Sequence, residues 1–196
     1  AQVLEPRSVS LAKQNNVPLI VRSSFKNIKG TSISKTRKII EKRNVSGIVF
    51  SKKDSKITLL GVPDKPGVAA KIFGSLASQD INVDMIVQNI SADGKFSDLT
   101  FTVLENDFFK AQKFINKIKK EIGIRNILPV SKVAKISIVG IGMRSNAGIA
   151  KEMFRALAKE KINIDLISTS EIKISVLISR KHILKAVNAL HKAFKL

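Results

Sequence analysis

The sequence has no cysteine, no tryptophan and no tyrosine. The first absence excludes a disulfide framework and a thiolate metal centre, and two isolated histidines, His182 and His191, do not make a metal site by themselves. A reducing, cytoplasmic setting is the expectation. Without Trp or Tyr, stacking platforms for single-stranded nucleic acid would have to come from the ten Phe, which mostly fall at core periodicity. Acidic residues are scarce: 15 Asp and Glu stand against 35 Lys and Arg, a formal charge of +20. That excess raises nucleic acid or an acidic membrane as partners. Its distribution argues for a lysine-rich solvated surface instead, since residues 1–56 carry a net +10 and the other 140 residues share the remaining +10. Long apolar runs are also missing. None approaches the roughly 20 residues that span a bilayer, and no hydrophobic targeting segment opens the chain, so no membrane partner is expected.

What is present is a globular composition, 44% hydrophobic over 196 residues, enough for two small domains with cores of their own. The organising stretch is Ile57-Thr-Leu-Leu-Gly-Val-Pro-Asp-Lys-Pro-Gly-Val-Ala-Ala-Lys-Ile-Phe73. A second, degraded copy begins at Ile136 and runs through Gly140, Gly148 and Phe154, so the chain reads as a duplication.

In the first copy, strand 57–62 is followed by a helix with Ala69, Ile72, Phe73 and Leu76 on one face. A strand over 81–90, a turn at 91–95 and an alternating strand over 96–103 come next. A helix marked by Ala111, Phe114, Ile115, Ile118 and Ile122 and a strand over 124–130 complete a β-α-β-β-α-β order. The second copy repeats this with strand 135–141, a helix through Met153 and Leu157, strand 162–170, an alternating strand from Ile172 to Ile178, and a helix through Ile183 and Leu190. It lacks a sixth element. An open sheet edge is a liability, and the short strand candidate at 45–51 is predicted to fill it, which inserts the first domain into the second. Residues 52–56 read as a turn. Residues 1–22 read as a helix entered at Pro6, capped at Asn15-Asn16, and a strand over 17–22. Residues 23–44 read as a linker, with a basic cluster at Lys35, Arg37, Lys38, Lys42 and Arg43.

The β-α-β-β-α-β order implies two α+β, ferredoxin-like domains. The informative loop is Val62-Pro-Asp-Lys-Pro-Gly67. A helix starting there leaves the backbone N–H groups near Gly67, Val68 and Ala69 without intrahelical partners at the positive end of the dipole, which suits a carboxylate. Asp64 suits an ammonium group, so the loop fits both ends of a free amino acid. Asp84, Ile86 and Gln88 share parity on their strand, which directs Asp84 and Gln88 to one face. The plainer alternatives are a helix cap for Asp64, a turn glycine for Gly67 and an exposed strand residue for Gln88. The second loop, residues 142–148, lacks an acid and a proline, although Asn163, Asp165, Ser168, Thr169, Ser170 and Glu171 make a polar strand end. No phosphate-binding loop, nucleophile elbow, H-E-x-x-H or paired carboxylates are present, so the chain by itself is expected to be non-catalytic.

Several segments carry a family resemblance: Gly61 to Phe73, Ile81-Asn-Val-Asp-Met-Ile-Val-Gln-Asn89, Asp98-Leu-Thr-Phe-Thr-Val103, Val139-Gly-Ile-Gly-Met-Arg-Ser145, Ile162 to Val176 and Val187 to Phe194. They resemble the paired ACT regulatory domains of aspartokinases. The resemblance implies a first ACT domain at 52–131 and a second at 45–51 plus 132–196. It also implies a basic linker at 32–44, and at 1–31 the last elements of an amino-acid-kinase domain, from Val3-Leu-Glu-Pro-Arg7 to Gly30-Thr31. Kinase chemistry, with its ATP and Mg, would belong to an N-terminal part outside this sequence, so no cofactor is expected here. The sequence would then be a piece of a longer chain or a separately made small regulatory subunit. By resemblance it binds free threonine, and lysine as a second effector, for feedback inhibition of aspartate-family amino-acid biosynthesis. It would pair through its ACT domains as a homodimer or with a full-length kinase chain. Asp64, Gly67, Val68, Ala69 and Gln88 from one copy and Asn163 and Ile164 from the other would line a threonine site. Asp84, Met85, Ser170 and Glu171 are secondary candidates for a neighbouring or lysine site. The family's His-Pro before the second glycine is Asn146-Ala147 here, which puts a ligand role for that loop in question. The rival reading is a structural dimerisation subunit that binds no ligand.

Overall fold

The structure, a computed structural model, describes residues 4–33, 45–92, 94–140 and 147–196. It divides into two compact units, Ala1–Lys42 and Arg43–Leu196.

In the first unit, Pro6 opens helix α1 (Pro6–Gln14), where a missing N–H costs nothing, and Asn15 closes it with its side-chain amide donating to the Leu11 carbonyl at 2.9 Å. Strand β1 (Leu19–Val21) pairs antiparallel with β2 (Thr31–Ile33). The stretch read as linker from residue 23 therefore contributes a strand. Arg22 holds the intervening loop through the Ile28 carbonyl and Asn27 Oδ1, at 3.2 and 2.8 Å, a side-chain closure that composition does not reveal. The basic cluster at 35–43 lies outside the described residues.

The second unit carries strands β3 (Val45–Pro63), β4 (Val83–Ile90), β5 (Phe96–Leu104), β6 (Asn126–Gly140), β7 (Leu166–Thr169) and β8 (Lys173–Ser179). Its helices are α2 (Val68–Ala77), α3 (Phe108–Ile122), α4 (Ala147–Lys159) and α5 (Ile183–Phe194). The strands form one antiparallel sheet in the order β4-β5-β3-β6-β8-β7. Each half of that sheet with two helices is a ferredoxin-like unit, so the structure is α+β and duplicated, as the sequence implied.

The halves are joined by the β3–β6 pair. Residues 45–51 lie against residues 135–140, so the early strand does complete the second copy's sheet, while residues 56–60 pair with residues 126–130 in the first copy. Two expectations are corrected here. Residues 52–56 are not a turn, and 124–130 and 135–141 are not separate strands, because β3 and β6 each run without a break from one copy into the other. The Lys-Lys-Asp-Ser-Lys composition reads as a turn locally, but at 54–56 it is held extended by β5 on one side and β6 on the other, with register shifts around Asp54 absorbing the mismatch. Pro129 is tolerated because β8 reaches only as far as Val133 on that edge of β6.

The register puts both helix pairs on one face of the sheet. Ile57, Leu59, Leu99, Phe101 and Val103 pack with Ile72, Leu76, Ala111 and Ile115 into one core. Ala134, Ile136, Ile138, Val176 and Ile178 pack with Met153, Leu157, Ala186 and Leu190 into the other. Burial of these apolar faces, at about 25 cal/mol per Å², is what makes four marginal helices stable. On the face away from the helices, Met85, Val133, Leu166 and Leu177 form a third, smaller cluster that contains residues of both copies.

Candidate functional site

The loop singled out from the sequence follows the end of β3. Asp64 N–H donates to the Lys95 carbonyl at 3.0 Å and Val68 N–H to the Lys65 carbonyl at 3.3 Å, so the loop is fixed by its own backbone. Gly67 is the N-cap of α2 at φ +89°, a left-handed conformation that disfavours a Cβ, and no side chain caps the helix. The Val68 N–H is thus taken by the Lys65 carbonyl, while the N–H groups of Gly67 and Ala69 remain available at the positive dipole end. Asp64, Gly67 and Ala69 are exposed and Val68 is half-buried.

Gln88, on β4, joins this loop. Its amide donates to Asp64 Oδ1 at 3.2 Å and to Ser97 Oγ at 3.1 Å, which leaves its carbonyl oxygen and the second Asp64 oxygen as acceptors beside the helix N-terminus. Ser97 is only 2% exposed and was missed from the sequence, although it shares the parity of Leu99, Phe101 and Val103 as the one polar residue on that apolar face. The cluster offers acceptors for an ammonium or hydroxyl group and donors for a carboxylate.

The shared face expected for Asp84 and Gln88 is not found. Asp84 opposes Thr102, whereas Val87 opposes Thr100 and Gln88 opposes Leu99, so β4 carries one extra residue, with Met85 at φ +46°. The bulge inverts the parity, turning Gln88 to the helix side and Asp84 to the opposite face. There Asp84 Oδ2 accepts from Lys135 Nζ and Oδ1 from Met85 N–H. Desolvation raises its pKa, but the Lys135 hydrogen bond, the Met85 N–H and the charges of Lys135 and Lys173 outweigh it and hold the carboxyl below its ordinary value. Met85 is buried in the third cluster.

The residues expected from the second copy sit elsewhere in this chain. Asn163 is exposed and Ile164 packs against the second core, both in the connection before β7 rather than within a strand from 162. Ser170 closes the β7–β8 turn by donating its N–H to the Lys173 carbonyl at 2.8 Å, and Glu171 is exposed beside it. None of these hydrogen-bonds to Asp64 or Gln88. The loop at 142–146 lies outside the described residues. Among the described residues no cluster of three or more metal-ligating side chains occurs, and no helix is long and apolar enough to cross a membrane.

Two ferredoxin-like units sharing one sheet define a tandem pair of ACT domains, and the sequence matches the ACT domain family twice, over residues 56–123 and 136–194. The whole chain aligns with the aspartate kinase of Pseudomonas fluorescens at 50% identity, covering 48% of that protein. The solved aspartokinase alpha and beta subunits are 47% identical with a TM-score of 0.72, over 78% of this chain and 99% of that one. The ligand-free regulatory subunit of aspartate kinase from Thermus thermophilus is 36% identical with a TM-score of 0.72, again over 78% and 99%. The chain belongs to the aspartokinase family, as its ACT-domain regulatory region. It spans about half the length of the curated aspartate kinase it matches.

Proposed function

We propose that this chain is the allosteric effector-binding part of an aspartate kinase and that its effector is threonine. The observation that carries the reading is the Gln88 amide bridging Asp64 and Ser97 beside the uncapped N-terminus of α2. The threonine carboxylate takes the N–H groups of Gly67 and Ala69 on either side of the half-buried Val68, the ammonium group takes Asp64, and the hydroxyl donates to the Gln88 carbonyl. Asn163 and Ile164 of a second regulatory chain supply the opposite wall, since in this chain they stand apart from Asp64. Lysine as a second effector falls to Ser170 and Glu171, because Asp84 is tied to Lys135.

The domain limits that support this reading are 52–131 and 45–51 plus 132–196, and residues 1–31 are read as the end of a kinase domain. Phosphorylation of aspartate from ATP belongs to a kinase domain beyond this sequence, in the same or a partner chain. Effector control then follows from differential affinity, since threonine stabilises whichever assembly state binds it better and kinase activity follows that population.

Calorimetric titration with threonine and lysine is the test. Saturable heat with threonine, abolished in Asp64→Ala and Gln88→Ala, is the expected result. No heat and no rise in Tm at millimolar concentrations of either amino acid would remove the effector assignment and leave a structural dimerisation subunit.

A further inference from the structure

On the sheet face opposite the Gln88 cluster, the first copy has a groove of about 550 Å³ whose lining includes Leu60, Gly61, Phe96, Asp98, Arg125 and Asn126. Three features shape it. The Arg125 guanidinium lies flat on the Phe96 ring, 3.7 Å from its centroid, and no carbonyl or carboxylate among the described residues takes a hydrogen bond from it. Stacking orients the planar fork and leaves its N–H edges open, the arrangement that suits bidentate capture of a carboxylate. Gly61 sits in a bulge of β3 at φ +61°, and a Cβ there would lie 2.4 Å from Arg125 Cδ, so the glycine makes room for the arginine stem. Asp98 Oδ1 accepts from Gly61 N–H at 2.9 Å, which pins that carboxylate and leaves its second oxygen open to the same groove.

We infer that this groove is a second small-molecule site, separate from the threonine site, that takes a zwitterionic amino acid with an apolar side chain. Its carboxylate pairs with Arg125, its ammonium group with Asp98, and its side chain lies on Leu60 and Phe96. The groove is shallow and open to solvent on one side, and its apolar wall with a few polar groups converging on it is the kind of lining that orients a small ligand.

The probes are L-leucine and isocaproate, its analogue without the ammonium group, titrated into the isotope-labelled chain and followed by amide NMR. Leucine is expected to shift Gly61, Asp98 and Arg125 saturably while Gln88 stays still. Arg125→Gln should weaken it about tenfold, the scale of one charge-assisted hydrogen bond. Asp98→Asn keeps the acceptor for Gly61 N–H and should weaken leucine but not isocaproate. Gln88→Ala, which removes the threonine site, should leave leucine binding unchanged, so the two assignments stand or fall separately. Absence of shifts at Gly61, Asp98 and Arg125 at millimolar leucine, or an unchanged leucine affinity in a folded Arg125→Gln chain, would overturn the proposal.

Discussion

Lys56 Nζ lies 3.2 Å from Asp165 Oδ2, joining the first ACT copy to the second. The partners' counterparts do the same in reverse. Lys135 stands where Lys56 does, immediately before its copy's first core isoleucine, Asp84 stands in its copy where Asp165 does, and Lys135 pairs with Asp84. The duplication has thus produced two reciprocal ion pairs about an internal two-fold axis. Met85 and Leu166, next along from the two aspartates, meet in the cluster between them. A third link, Arg180 Nη1 to Glu105 Oε1 at 2.9 Å, joins the residues that open the equivalent turns before α5 and α3, with opposite charges at matching positions.

Because the Lys56 and Asp165 side chains are 17% and 27% exposed, their coupling should exceed that of a fully solvated pair. A double-mutant cycle of Lys56→Met and Asp165→Asn in urea is expected to give about 1 kcal/mol of coupling, and the more exposed Lys135–Asp84 pair less. Equal and purely additive losses would mean that the pairs contribute nothing.

Asp84 also fixes a pH dependence. Its folded pKa is below the ordinary 3.8, so its contribution to stability is fully present above that value and is lost as pH falls through the lower folded one. The stability gap between the native chain and Asp84→Asn should therefore be constant near neutrality and close on acidification below about pH 4. Urea unfolding at a series of pH values measures it.

Gly61 and Gly67 both have positive φ but differ in surroundings. A Cβ at Gly67 meets nothing within 4 Å, while one at Gly61 meets the Arg125 stem at 2.4 Å. Gly67→Ala should cost about 1 kcal/mol from backbone strain alone. Gly61→Ala should cost more, about 2 kcal/mol, and should also displace Arg125 from Phe96, which an NMR shift of the Arg125 side chain would report.

Phe101 is fully buried at the centre of the first core, edge-on to Phe73 with ring centroids 5.5 Å apart. Phe101→Ala should destabilise by about 3–5 kcal/mol. Since β3 and β6 each run through both copies, the loss should appear in one cooperative transition seen by probes in either copy. Two separated transitions would show that the shared sheet does not couple the cores.

Much of this molecule was legible in the sequence because the signals are local or periodic. The apolar spacing in α2, α3, α4 and α5 marks helices whatever they pack on, the alternation in β5 and β8 marks half-buried strands, and the Pro-Asp-Lys-Pro-Gly loop announces a helix entry. The missing sixth element of the second copy also led to residues 45–51, because a duplicated pattern constrains its own completion. Tertiary structure decided what depends on partners distant in sequence. Residues 54–56 became strand because β5 and β6 flank them, Ser97 joined Gln88 and Asp64 across three elements, and the bulge at Met85 placed Asp84 and Gln88 on opposite faces. Period-two parity holds only while every residue of a strand is paired, and one inserted residue, invisible to composition, reverses it.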